Sequence, residues 1–256
     1  MKVIYVFLMF CLISVGVSAQ TFQVINGDTV NKVDATGKKQ GRWIESGQFE
    51  TRGNYKNGIK EGQWLTYFAG NYLRIVENYE KGKLSGVALE MDHWGRMISE
   101  TNYTNGVLNG VSKTFTSDGF SKSYAEYKSG KLNGVKRTYY VDTPDRIMEE
   151  ANYTNNIKNG LSKWFTQEGR LVAEYNYVNG LLEGDTKTYY TNAKLMSTFH
   201  YVKNVRQGES VEYYESGKVK SKGLYKDDLK EGEWLNYDEN QVVVSREKYK
   251  AGVLLK

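Results

Sequence analysis

From about residue 34 onward, the chain is built from short runs in which apolar and polar residues alternate, with Gly, Asn, Asp or Ser between them. "VSKTF" ending at Phe115, "VKRTYY" ending at Tyr140, "ESVEYY" ending at Tyr214 and "RLVAEYNY" from Arg170 are typical. A period of two in runs rich in Tyr, Val and Thr marks a strand with one covered and one open face. Two such runs around a polar turn such as "TSDG" or "YESG" predict a β-hairpin. No amphipathic helix is apparent. Consecutive hairpins predict an antiparallel meander.

The pattern repeats. The motif Y-x-x-G-x-x-x-G, as in "YKSGKLNG" from Tyr127, places a tyrosine at 55, 79, 103, 127, 153, 177, 201, 225 and 249. The spacing is 24 residues except for 26 between Tyr127 and Tyr153. A constant period of this size marks a repeat architecture with one supersecondary element per unit. Counting each tyrosine as position 0, position +3 holds only Gly, Asn or Asp, the residues that enter the left-handed region most readily, so a positive φ is predicted there. In the first eight units position +7 is glycine without exception: Gly62, Gly86, Gly110, Gly134, Gly160, Gly184, Gly208 and Gly232. Either its conformation is closed to other residues or a neighbour comes too close for a Cβ. Pro144, the only proline, falls in the 26-residue interval where other units carry the hairpin turn, so the insertion should enlarge that turn and spare the strands. Gly37 and Gly41 match the two glycine positions of an initial unit. The fold class expected is all-β: an elongated single-layer antiparallel meander of about nine β-hairpin units, twisted or rolled.

Alternation also sorts faces. Position +12 is a ladder of large residues (Tyr67, Met91, Phe115, Tyr139, Phe165, Tyr189, Tyr213, Tyr237), expected on the inner face, with small residues four before the next tyrosine (Ser99, Ser123, Ala173, Ser197, Ser221, Ser245) making room for it. Trp43, Trp64, Trp164 and Trp234, with Phe68, Tyr140, Tyr190 and Tyr214, occur in some units only. A residue that packing does not force to recur is free for recognition. Trp64, Trp164, Trp234, Tyr140, Tyr190 and Tyr214 are therefore the candidate binding residues.

Composition adds three limits. Residues 1–19 carry Lys2, an apolar run from Val3 to Val17 and small residues at Val17, Ser18 and Ala19, the pattern of a secretory signal peptide cleaved after Ala19. The run is shorter than the roughly 20 residues a spanning helix needs. The organisation expected is a signal peptide over 1–19, a lead-in segment over 20–33 and the repeat domain over 34–256, exported to the periplasm, envelope or exterior. Cleavage removes Cys11, the sole cysteine, and leaves no thiol chemistry. The formal net charge of +5 loses Lys2 and is spread without a basic block, which argues against nucleic acid as a partner.

Catalytic chemistry is not written in the chain. His93 and His200 are the only histidines, and neither has a nucleophile or metal-ligand spacing around it. The periodic glycines precede strands instead of helix N-termini, so they form no phosphate loop. Glu100, Glu150 and Glu174 recur three before the tyrosine, which reads as a salt-bridge row, not as a pair of facing carboxylates. No cofactor, metal or enzymatic activity is expected.

Segments such as "YESGKVKSKGLYKDDLKEGEWLNYDENQ", Tyr214 to Gln241, resemble the MORN repeat family in its bacterial variant form, with G-x-W and a following aromatic. Several units depart from it, carrying Ala88, Ser112, Lys136, Ser162, Thr186 and Ser210 in place of that Trp. The resemblance implies a β-hairpin scaffold that binds a protein or, in some members, a lipid head group. It also implies an antitoxin-like role, which for an exported chain becomes an immunity-type role in the envelope. Glycan is a further partner class to weigh, and the end strands offer a route to a homodimer.

Overall fold

The computed structural model describes residues 20–255, all strand and turn, as 23 β-strands in chain order. The signal-peptide reading and Cys11 lie outside these residues. Each long strand pairs antiparallel with the next in sequence, from Lys39–Glu45 through Val243–Lys250 to Val253–Leu255, in one open meander. Within a unit the tyrosine lies opposite position +5 (Tyr153 opposite Lys158), and across the following pair the +7 glycine lies opposite the next tyrosine (Gly160 opposite Tyr177).

Both turn residues of the Y-x-x-G loop have positive φ, for example Asn57 at 54° with Gly58 at 79° and Asp227 at 52° with Asp228 at 64°. That is the two-residue primed turn whose twist matches the flanking strands. The +7 glycines all lie between 70° and 121°, so conformation excludes other residues there. At Gly134 a Cβ would also sit 2.1 Å from Glu126 Oε2.

Neighbouring units are tied at these turns. The N–H at +3 donates to the carbonyl at +5 of the preceding unit, as in Gly82 to Lys60 (3.0 Å), Gly130 to Leu108 (2.8 Å) and Gly252 to Lys230 (2.9 Å). Where +3 is Asn or Asp, its side-chain oxygen accepts the N–H of that same +5 residue: Asn156 from Leu132, Asn204 from Leu182 and Asp228 from Arg206. The N–H at +2 donates to the side-chain oxygen at +6 of the preceding unit: Lys81 to Glu61, Ser129 to Asn109, Asn179 to Asn159, Lys203 to Glu183 and Ala251 to Glu231. On the strands, the Asn before the tyrosine caps a carbonyl beside the +7 bulge, as Asn78 does for Val87 and Asn152 for Leu161.

The covered face differs from the one expected. Its buried residues are at +9 (Trp64, Ser162, Thr186, Ser210, Trp234), at −2 (Ala125, Ala151) and at −4 (Ala173, Ser197, Ser221). The small −4 residues are thus inside as anticipated, but their hydroxyls pair with +11, Ser123 with Thr114 at 2.7 Å and Ser197 with Thr188 at 2.6 Å. The +12 ladder lies on the opposite, open face. Tyr189 donates to Glu174 there, and the Arg52 guanidinium lies 4.4 Å from the Tyr67 ring. The physical reason is alternation: +12 is an odd number of residues from +9, so the two cannot share a face. The open face also carries the predicted charge row, Lys113 with Glu100 (3.3 Å), Arg137 with Glu150 (2.6 Å) and Lys163 with Glu174 (4.0 Å).

Residues 20–33 form a hairpin, Thr21–Ile25 and Asp28–Val33, paired to Lys39–Glu45 through Lys32 and Val33. Gly37 has the positive φ expected of it, but its turn is one residue longer and is held by Asp34, whose carboxylate accepts the N–H groups of Thr36 and Lys38. The Pro144 turn is enlarged, with Tyr140 N–H bonded to the Arg146 carbonyl, and strands Lys131–Tyr139 and Ile147–Thr154 are intact.

Candidate interaction surface

The six candidate binding residues do not form one exposed face. Trp64 and Trp234 are 1% and 3% exposed. Each lies over a glycine at −2 of its own unit: a Cβ at Gly53 would sit 2.2 Å from the Trp64 ring, and one at Gly223 would sit 2.3 Å from the Trp234 ring. Edge-on tyrosines flank them, Tyr55 and Tyr79 around Trp64, and Tyr225 and Tyr249 around Trp234. The ammonium groups of Lys60 and Lys230 lie 4.0 and 4.2 Å from the two indole centroids. These are packing residues. In two other units the large ring comes from the other strand, Tyr175 and Phe199 at −2 where +9 is Thr186 and Ser210, and in the four units from Tyr79 to Tyr153 neither position is aromatic.

Trp164 is half-buried at +11, paired with Glu149 on one side and with the small Ala173 on the other. Tyr140, Tyr190 and Tyr214 at +13 donate their hydroxyls to the +12 carbonyls of the next unit, Phe165 (2.7 Å), Tyr213 (2.6 Å) and Tyr237 (2.7 Å). They bridge hairpin tips. Where +13 is Asp or Thr, the side chain closes its own turn instead, as Asp92 does for Trp94 and Arg96. Those hydrogen bonds hold the Asp92 carboxyl below its ordinary value against the opposing effect of burial.

Exposed aromatics lie elsewhere. At the hairpin tips of the units beginning at Tyr55, Tyr79 and Tyr103 stand Tyr72 (60% exposed), Trp94 (68%) and Phe120 (38%), and Val141 follows in the enlarged turn. Successive tips are two strands apart, about 9.6 Å. Trp94 rests on the Arg96 guanidinium (4.3 Å) and beside His93. The later tips differ. Arg170, Lys194 and Lys218 at +17 reach a carbonyl of the following tip, Thr191, Ser216 and Glu239 respectively. Sequence reasoning grouped aromatics by strand and passed over Trp94. The signal was present in "DHWGR", a bulky indole inside a turn where other units have Gly, Asp, Glu, Asn or Ser.

Concavities on the sheet are shallow. One of about 220 Å³ is lined by Phe49, Arg52, Tyr67 and Phe68, and one of about 360 Å³ by Tyr190, Met196, Phe199, Tyr213 and Lys220. His200 Nδ1 lies 2.7 Å from Asp185, both exposed on the open face. Among the described residues no group of three or more His, Cys, Asp or Glu could hold a metal ion, and no helix is long and apolar enough to cross a membrane.

Residues 158–179 and 206–227 match the family model described as MORN repeat variant. Each match runs from +5 of one unit to +2 of the next, one full hairpin with its flanking turn residues. No curated protein matches the chain. Among solved structures it is similar to those titled "Crystal Structure of TcdB2-TccC3-Cdc42" and "Crystal Structure of TcdB2-TccC3", each at 14% identity and a TM-score of 0.20. The likeness covers 86% and 89% of this chain but only 14% and 15% of those chains.

Proposed function

We propose that this chain, in which residues 158–179 and 206–227 match the MORN repeat variant model, is an exported, non-enzymatic scaffold that binds another protein of the cell envelope. The observation that carries this reading is the row of exposed Tyr72, Trp94 and Phe120 on three successive tips. The aromatics that recur or bridge units are used in packing and in tying units together. These three are not, and Tyr and Trp are the residue types that anchor protein interfaces. An immunity-like role, neutralising a toxin that acts outside the cytoplasm, is the specific form the family resemblance suggests.

The test is affinity capture from an envelope extract with the mature chain and with a Tyr72→Ala/Trp94→Ala variant, read by mass spectrometry. A protein retained by the parent and lost by the folded variant supports the reading. Retention of the same protein by both moves the surface away from the tips. Capture of lipid or polysaccharide without protein replaces the partner class. Thermal denaturation should place Trp94→Ala within about 0.5 kcal/mol of the parent, because the side chain is exposed.

A further inference from the structure

Seven Asn-Gly pairs occur in the chain, and the repeat treats them differently. Asparagine followed by glycine is the pair most prone to spontaneous deamidation, because no Cβ hinders the attacking amide. The glycine backbone nitrogen forms a bond to the asparagine Cγ, the Cγ–Nδ2 bond breaks and ammonia leaves. Water then opens the succinimide to aspartate or isoaspartate. The reaction needs a free glycine N–H, a free side chain and a backbone able to leave its starting conformation.

In the repeat turns these conditions are withheld. Gly58, Gly106 and Gly180 each donate their N–H to the preceding unit, to Lys39 (2.9 Å), Leu84 (2.7 Å) and Lys158 (2.8 Å). The asparagine N–H is held as well in two of the three, Asn57 by Gln40 and Asn179 by Asn159. Asn105 lacks that second tie because Ser85 stands at +6 of the unit before it. A second group, Asn109, Asn133 and Asn159, uses its own side-chain oxygen as the acceptor for the next unit's turn, at 3.2, 3.4 and 3.2 Å. Cyclisation at those sites requires the inter-unit bond to break.

Asn26-Gly27 is the exception. It forms the tip of the N-terminal hairpin, with Ile25 opposite Asp28, positive φ at both residues (51° and 85°) and both residues exposed to solvent. No unit precedes it among the described residues, and neither the Gly27 N–H nor the Asn26 side chain has a hydrogen-bond partner there. We propose that Asn26 is a site of spontaneous deamidation in the folded protein, and that the inter-unit hydrogen bonds protect the six Asn-Gly pairs within the repeats. Isoaspartate at this position inserts a methylene into a two-residue turn and so loosens the hairpin that covers the first repeat strand. The Arg42–Asp28 ion pair (2.5 Å) and the Ile44 N–H bond to Asn31 (2.8 Å) are the contacts then weakened.

The experiment is incubation of the full chain without residues 1–19 in warm, mildly alkaline buffer, native and in urea, with deamidation at each site followed by peptide mass spectrometry. In the native protein Asn26 should convert about tenfold faster than Asn57 and Asn179, the factor that one or two hydrogen bonds of ordinary net strength impose on an opened form. In urea the seven rates should converge. Asn159→Ala should speed Asn179 and leave Asn57 unchanged. Ser85→Asn, which supplies the missing tie, should slow Asn105. A native Asn26 rate equal to or below those of Asn57 and Asn179 overturns the proposal, as does a native spread that urea leaves in place.

Discussion

Two adjacent units fill the same space in opposite ways. In the unit of Tyr201, the aromatic ring is Phe199 on the incoming strand and the facing +9 residue is Ser210. In the unit of Tyr225, the ring is Trp234 at +9 and the facing residue is Gly223. In the units of Tyr55, Tyr177, Tyr201 and Tyr225 one aromatic fills this slot, from +9 in two of them and from −2 in the other two, whereas the four units from Tyr79 to Tyr153 carry none at either position. Between the units of Tyr201 and Tyr225 packing constrains volume and the backbone accepts either donor, so neither column alone looks like a core.

This comparison can be broken most severely by emptying the slot. Trp234→Ala should cost about 3–5 kcal/mol in urea denaturation, since the side chain is buried between Tyr225 and Tyr249. Converting the unit to its neighbour's solution, Gly223→Phe with Trp234→Ser, should recover a substantial part of that loss. Strict additivity of the two single substitutions would mean that the volumes are not shared. Gly223→Ala alone overfills the slot and should cost about 1–3 kcal/mol, because the added Cβ meets a rigid indole and not a flexible chain end.

A second contrast runs along the tip edge. The tips at Tyr190 and Tyr214 are tied to the next by a tyrosine hydroxyl and by Lys194 or Lys218, whereas those at Tyr72, Trp94 and Phe120 present aromatics to solvent. Tyr214→Phe removes one bond and leaves the Tyr237 carbonyl seeking water, for about 1 kcal/mol. Hydrogen exchange should then rise at the tip of that unit and not at the tip of Trp94.

A smaller effect is expected from alkali. Burial and the neighbouring Glu77 charge push the Tyr79 hydroxyl up from 10.0 to about 12, and burial with the hydrogen bond to Glu174 does the same for Tyr189. Folding favours the protonated form of both. Their contribution is complete below pH 10 and is lost progressively as the pH rises toward 12. Replacing Tyr79 by Phe should flatten that part of the profile, and an unchanged alkaline slope would show that other groups set it.

Much of the architecture could be read from the chain. The tyrosine period, the Gly/Asn/Asp choice at +3 and the unvarying glycine at +7 each reflect a local backbone requirement, so the turns, the hairpins and the meander followed directly. The site was far less legible. Among the first eight units position +6 is Glu, Asn or Gln in all but one, yet its usual partner is a turn N–H some 20 residues ahead, and nothing within one unit announces it.

The sequence by itself determined the repeat, because positive φ and strand alternation are properties of single residues and their neighbours. It could not say which of the two alternating faces is covered, since a period of two defines both faces equally and the choice depends on which side neighbouring units close over. Only the tertiary structure placed Trp64 and Trp234 inside and the +12 ladder outside, because which side chains share a slot is decided by pairing across strands and not along one. It also decided which aromatics remain free, because that depends on whether a hydroxyl or ammonium group reaches the next tip. Trp94 is left exposed where Tyr190 and Tyr214 are not.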